Sequence, residues 1–422
     1  MGYQDHHDAP GRYRAGDDHG YDDDGYHGED AGRGRGRRRR PLRTAATVVG
    51  ALALVGVLVL AGFAFYLQNT VSRNIEHEDL LSKNDSVITI SPNLTGGERP
   101  GGGDAEDEQD EDAEPGEEGE PAADEEPVVI VGEDGEAIEL EEGATVEATT
   151  PERSPDAGDA MNFLIIGSDS RDLSVERGRS DVIVLMHVND ARDRVDLIHF
   201  PRDTFVPIPG TGGSSKINAA YAYGGAPLLV QTLQQQVNVP IDHVVIVNFE
   251  SFKAMTDAIG GVTVNVTQAG GGFSAGTHHM NGEQGLRFVR ERYSLSQGDI
   301  SRGERQMQFI KGILTKALSR ETLTNPGRVA SFVDAATRNL TVDEDLKVGE
   351  MRNLAFSMRD VRGGDIHFWS GPWCGIANHP VAGSIILKAD GQMNTLAEAL
   401  RSDSMEGYVD NVSPRSGFGG GC

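Results

Sequence analysis

Hydrophobic positions fall into three textures along the chain. From 44 to 67 the sequence is uncharged and mostly apolar, with Val48, Val49, Leu52, Leu54 and the Val57-Leu58-Val59-Leu60 run. At about 1.5 Å per residue this stretch rises about 36 Å as a helix, enough to cross a hydrocarbon layer of about 30 Å. The pattern predicts one membrane-spanning helix over 44–67. Two short apolar runs, 128–131 and 137–140, then flank Glu133-Asp134-Gly135 and predict a small hairpin, since Asp-Gly is a turn signal. Beyond about residue 160 the texture changes again. β-Branched runs at 162–167, 182–188, 195–200 and 244–249 predict buried strands, and helical spacing predicts helices over 227–237, 251–259, 281–292, 302–320 and 346–359. Strands at 365–370 and 384–388 and a helix at 393–400 close the series. Such alternation predicts an α/β fold, one layered domain over 160–422 with helices covering a central mixed sheet.

Charge sharpens the boundaries. The 422 residues hold 66 acids and 38 bases, a net charge of −28, and the 50-residue window 98–147 alone holds 22 acids against Arg99. The rest of the chain is close to neutral, so the acidity describes a linker and not the folded part. That window, with its Gly- and Pro-rich start at 96–103, reads as part of an extended, self-repelling linker over 68–159. Residues 1–43, poor in aliphatic side chains, read as a disordered tail. Arg37 to Arg40 and Arg43 precede the apolar run while Glu76, Glu78 and Asp79 follow it, which puts the N-terminus in the cytoplasm and the C-terminal domain outside the cell. A cleaved signal peptide is the competing reading. It requires a shorter apolar region, and no small-x-small site closes the run cleanly. No basic face or helix-turn-helix pattern marks a nucleic-acid binder.

Candidate chemistry gathers at strand ends, where open α/β sheets place their sites. Asp169 and Arg171 follow the first strand, Arg179 and Asp181 precede or open the second, and Arg202 and Asp203 follow the third. Arg287, Arg290 and Arg292 come later, with Asp299, Arg302 and Arg305 after the breaker Gly298. Guanidinium forks with aspartates between them suit a polyanion of phosphate type and a hard cation. The same set also reads as solvated ion pairs, and spacing alone leaves both readings open. His199 and His243 lie in apolar strands and read as satisfied core residues. The only cysteines, Cys374 and Cys422, are both predicted outside, where an even count suggests one disulfide.

At these residues the chain resembles the LytR-CpsA-Psr family of cell-envelope proteins. The resemblance rests on NFLIIGSDSR (162–171), RSD (179–181), FPRDTFV (200–206), KINAAYAYGG (216–225) and VNFESF (247–252). GGV (260–262), MNGEQGLRFVRER (280–292) and GDISRGERQ (298–306) complete it, in the family's order. The resemblance implies an α/β/α domain with a long apolar cleft, with Leu286, Phe288, Val289, Phe309, Ile310, Ile313 and Leu314 as candidates to line it. It implies an extracytoplasmic phosphotransferase that moves a glycopolymer from a polyprenyl-pyrophosphate lipid to a peptidoglycan hydroxyl through a phosphodiester. By the same resemblance Asp169 and Asp181 hold Mg²⁺, with Mn²⁺ as the alternative. Arg202 contacts the phosphates and carries activity, and Arg179, Lys216, Arg290, Arg292, Arg302 and Gln306 surround the head group. Asp299 is proposed as hydrogen-bond organiser or general base. Three other functions stay open on sequence: a polyprenyl-pyrophosphate phosphatase, a transcriptional attenuator, and a non-catalytic wall- or lipid-binding protein.

Overall fold

A computed structural model describes residues 41–81, 86–91, 129–141, 143–168, 180–296, 298–338 and 340–409. Side chains are described from Gly56 onward, apart from Asp181, Phe249, Glu250 and Asp299. The expected tail before residue 41, most of the acidic stretch, Asp169, Arg179 and Cys422 lie outside the described residues.

The chain divides into two units, 1–61 and 62–422. The described part of the first is helical and belongs to α1 (Pro41–Asn74). Val57, Leu58, Val59 and Leu60 are 61–69% exposed on it. No helix of the described residues is long and apolar enough to cross a membrane. The run expected to span, 44–67, has described side chains only from Gly56, and beyond Leu67 the helix turns polar through Gln68, Asn69 and Arg73.

In the second unit α1 leads into β1 (Ile75–Glu78), β2 (Val87–Ile90), β3 (Ile130–Val131), β4 (Ala137–Ile138) and β5 (Ala144–Glu147). Next come β6 (Met161–Ser168), β7 (Ser180–Val188), β8 (Val195–Phe200), β9 (Thr204–Ile208) and β10 (Gly213–Lys216). They are followed by α2 (Asn218–Val237), β11 (His243–Asn248), α3 (Phe249–Ala258), β12 (Val262–Val266), β13 (Gly276–Met280) and α4 (Gly282–Arg290). After α5 (Asp299–Ala317), α6 (Arg320–Leu323) and α7 (Pro326–Thr337) come β14 (Leu340–Asp343) and α8 (Val348–Ser357). The described chain closes with β15 (Ile366–Ser370), β16 (Trp373–His379), β17 (Gly383–Lys388) and α9 (Asp390–Arg401).

The central sheet has seven strands in the order β1-β14-β11-β6-β7-β8-β15. It is mixed as expected: β6, β7 and β8 form an antiparallel meander, while β11 runs parallel to β6 and β15 parallel to β8. Successive residues of a strand point to opposite faces, and both faces here are covered. Leu164, Ile166, Ile183, Leu185, Ile198 and Val244 pack with Leu229 and Leu233 of α2 and Leu396 of α9. Their neighbours Phe163, Val182, Val184, Leu197 and Val342 face the opposite layer, built from α3, α4, α5, α8 and Val71 of α1. Local sequence sets where these helices begin. Asn281 and Gln284 make a capping box at α4, and Asn325 caps α7 ahead of Pro326.

Several elements depart from expectation. α2 begins at Asn218, nine residues before the predicted start, because Gly225 takes φ 65° and lets two helical segments join across a kink with Pro227 just beyond it. The expected hairpin is present, with Ile130 opposite Ile138, but it extends a second, six-stranded sheet, β16-β17-β9-β10-β3-β4. The segment read as linker also supplies β1, which pairs in parallel with β14, and β2 and β5, which pair with each other.

Candidate active site

The strands β6, β8, β11 and β15 point the same way and end together at Ser168, Phe200, Asn248 and Ser370. The site residues collect beyond these carboxyl ends. Pro201 stops β8, and the turn 201–203 is closed by Thr204, whose backbone N–H and hydroxyl both donate to the Pro201 carbonyl at 3.0 and 2.7 Å. That turn presents Arg202 and Asp203. The backbone N–H of Ile386 donates to the Asp203 carbonyl at 2.9 Å, and that of Asn218 to the Arg202 carbonyl at 3.2 Å. The second sheet and α2 therefore hold the turn from both sides.

Asp203 is the electrostatic hinge of the cluster. Its carboxylate lies 3.9 Å from Arg202 Nε and 3.7 Å from Lys216 Nζ, and all three side chains are only 13–15% exposed. Helix α5 adds the next layer: Arg302 and Gln306, four residues apart, line a small pocket with Arg202, Asp203, His199 and Gly303. Gln306 is buried. Asp299 opens the same helix, and its spacing of three and seven from Arg302 and Gln306 puts the three positions on one face. Arg202, Arg302 and Gln306 are thus brought together, with Lys216 beside them through Asp203. Arg290, the exposed last residue of α4, and half-buried Arg292 in the loop after it stand outside this pocket's lining.

Of the expected metal pair, Asp169 lies outside the described residues and the Asp181 side chain is not described. The backbone still places their segments. Gly167 pairs with Val182 and Ser168 with Ser180, so Asp181 is the extra residue of a β-bulge beside the end of β6. Ser180 is fully buried, and its hydroxyl has no hydrogen-bond partner among the described residues.

An apolar surface adjoins this polar pocket. Ile165, Met186, Val245 and Phe368 of the sheet are half-buried, as are Leu286 of α4 and Met307 and Leu314 of α5. Helix α8 packs over the same layer with no fully buried residue. Of the residues expected to line a cleft, Leu286 and Leu314 belong to this surface. Phe288, Val289, Phe309 and Ile313 instead form a separate closed core with β12 and β13. Ile310 is half-buried.

Three residues near the site had no role assigned to them from the sequence. Asp203 carried a signal, its place in the Pro-Arg-Asp block. Asn218 carried only its place in the KINAAYAYGG block: it is 4% exposed and its side-chain oxygen has no partner among the described residues. His199 was read as core, and the structure corrects that reading. It is buried, but its ring borders the pocket, and burial lowers its pKa to about 4. His243 is the satisfied core histidine expected, with Nδ1 3.2 Å from the Asp343 carboxylate.

A model of the LytR_cpsA_psr family matches residues 130–396. A relative from Enterococcus faecalis, named polyisoprenyl-teichoic acid–peptidoglycan teichoic acid transferase TagU, is 36% identical over 208 residues, 48% of this chain and 67% of its own. The protein of the same name from Bacillus subtilis is 38% identical over 190 residues, 44% of this chain and 61% of its own. The matches thus cover roughly three fifths to two thirds of these relatives' length. The crystal structure of protein gbs0355 from Streptococcus agalactiae superimposes with a TM-score of 0.50 at 24% identity, over 58% of this chain and 88% of that one. That likeness concerns the fold.

Proposed function

The chain belongs to the LytR_cpsA_psr family, and on that premise we propose that it is an extracytoplasmic phosphotransferase acting on a polyprenyl-pyrophosphate-linked glycopolymer. The acceptor is a peptidoglycan hydroxyl, and the product linkage is a phosphodiester. One observation carries this reading: a pocket with Arg202, Arg302 and Gln306, with Lys216 at its edge, adjoins half-buried apolar side chains of the sheet and of α5. A pyrophosphate head with a hydrocarbon tail has that same division.

In the reaction the acceptor oxygen bonds to the sugar-proximal phosphorus, and the bond from that phosphorus to the bridging oxygen breaks. Polyprenyl phosphate leaves. Negative charge grows on the bridging and non-bridging oxygens, where Arg202 and Arg302 stabilise it in a partly dehydrated setting. Asp203 holds Arg202 and Lys216 at the pocket edge before substrate arrives. Asp299, on the same helix face as Arg302, is the proposed acceptor of the hydroxyl proton. Arg179, Arg290 and Arg292 are proposed as further contacts to the head group. Asp169 and Asp181 would hold Mg²⁺ or Mn²⁺, and the Ser180 hydroxyl, without a partner among the described residues, adds a hard oxygen that suits such an ion. The ion would neutralise pyrophosphate charge. Helix α1 is the proposed membrane anchor, supported by the exposed Val57–Leu60 run and by the arginines that precede it.

Full-length protein in detergent, with Mg²⁺, a labelled polyprenyl-pyrophosphate oligosaccharide and peptidoglycan oligomers, is expected to attach label to the oligomers. Arg202→Ala is expected to lower the rate at least about 100-fold, the scale seen on loss of a donor to transition-state charge. Equal rates for wild type and variant would refute the site.

A further inference from the structure

Within the pocket one side chain has no task in the chemistry above. His199 lies on β8, opposite Val184 of β7, and is 7% exposed. Its backbone carbonyl accepts from Gly371 N–H at 2.6 Å, but no described residue hydrogen-bonds its ring. Neither ring nitrogen is among the fully enclosed, unpartnered atoms of the described residues, so the polar edge of the ring stays open to a further partner.

The helix facing the ring is shaped around it. A Cβ added at Gly303 would stand 2.6 Å from His199 Cε1 and 3.2 Å from Nε2. Glycine is disfavoured inside a helix, yet here nothing larger fits without moving the imidazole. The ring borders the same pocket as Arg202, Arg302 and Gln306. Guanidinium groups only donate, so neither arginine can receive the imidazole N–H, and the acceptor oxygens of Asp203 and Gln306 in the same lining make no hydrogen bond to the ring. With its pKa near 4 the ring is neutral at physiological pH and carries one N–H donor. An anionic oxygen entering the pocket would supply the missing acceptor.

We infer that His199 is a further binding residue of this pocket, donating its ring N–H to a non-bridging phosphoryl oxygen of the bound pyrophosphate, with Gly303 kept bare to seat the ring. The inference rests on the pyrophosphate reading of the pocket and adds to it a neutral donor that fixes head-group orientation among the cations.

The test is calorimetric titration of full-length protein in detergent with farnesyl pyrophosphate and Mg²⁺, using wild type, His199→Phe, His199→Asn, His199→Gln and Arg202→Ala. His199→Phe keeps an aromatic ring without a donor and is expected to bind about tenfold or more weakly, the scale of a hydrogen bond to a charged group. The two amides offer an N–H near one ring nitrogen or the other, and at least one is expected to stay within about threefold of wild type. If Arg202→Ala binds as wild type, the pyrophosphate reading fails and this inference with it. If Arg202→Ala weakens binding and His199→Phe does not, the assignment of His199 alone is overturned. Should thermal melting show His199→Phe unfolded, the amides decide. Weakening of both by tenfold with unchanged melting overturns the hydrogen bond, and retention by either supports it.

Discussion

Burial fixes the charge state of His199, and that has a consequence for stability as well as for binding. Its pKa falls to about 4 in the folded chain, against an ordinary value of 6.5. Between those two values the unfolded chain binds a proton that the folded chain does not, so the contribution is full above pH 6.5 and is lost as pH falls towards 4. The shift corresponds to roughly 3 kcal/mol at most. Urea unfolding of wild type and His199→Gln at pH 7 and pH 4.5 is expected to show wild type losing more stability on acidification; parallel losses would contradict a buried neutral ring. Asp203 illustrates a different residue-scale balance. Placed within 4 Å of both Arg202 and Lys216, it limits repulsion between two cations while the pocket waits for an anion. Its part was half legible in the Pro-Arg-Asp block, whereas that of His199 was hidden. An apolar strand context looks the same whether the ring meets closed core or a pocket wall.

At the scale of elements, the junction of β11 and β14 shows how a buried carboxylate replaces apolar packing. Asp343 accepts backbone N–H groups from Val244 at 2.9 Å and from Asp345 and Leu346 at 3.0 Å, and stands 3.2 Å from the His243 ring. Burial pushes its pKa up, but the His243 ring and these N–H groups outweigh it and hold the carboxyl below its ordinary value. Asp343→Ala leaves several buried donors unpaired and is expected to cost about 3 kcal/mol by urea unfolding; a loss under about 1 kcal/mol would mean water replaces the carboxylate. β6, β7, β8 and β11 were legible to within a few residues because each is a short, mostly apolar run of strand length. β9 and β10 were not: Thr204–Ile208 contains Pro207, and Gly213–Lys216 is mostly polar. Their identity as strands comes from pairing with β17 and β3, which local periodicity does not report. The start of α2 was hidden because Gly225 and Pro227 normally end helices, and here they mark a kink.

For the whole molecule, division of labour follows composition. The layered fold places cations beyond the carboxyl ends of the central strands and half-buried apolar side chains on the face beside them. Fold class was legible from the alternation of strand and helix patterns. The site was legible as a set of charged positions at strand ends, but which of them meet depends on turns and on a helix entering from elsewhere in the chain. With the proposed topology, protease added outside intact spheroplasts is expected to digest epitopes in the C-terminal domain and to spare one within residues 1–36; protection of both would place the domain inside the cell. The proposed reaction delivers the phosphoryl-linked glycan to a hydroxyl of peptidoglycan and not to water. Its most direct test is to count, in one reaction with wild-type full-length protein, the polyprenyl monophosphate released against the glycan attached to peptidoglycan oligomers. Near-equal amounts are expected, with little release without oligomers. Release that continues unchanged without oligomers, with no glycan attached, would contradict it and describe a phosphatase.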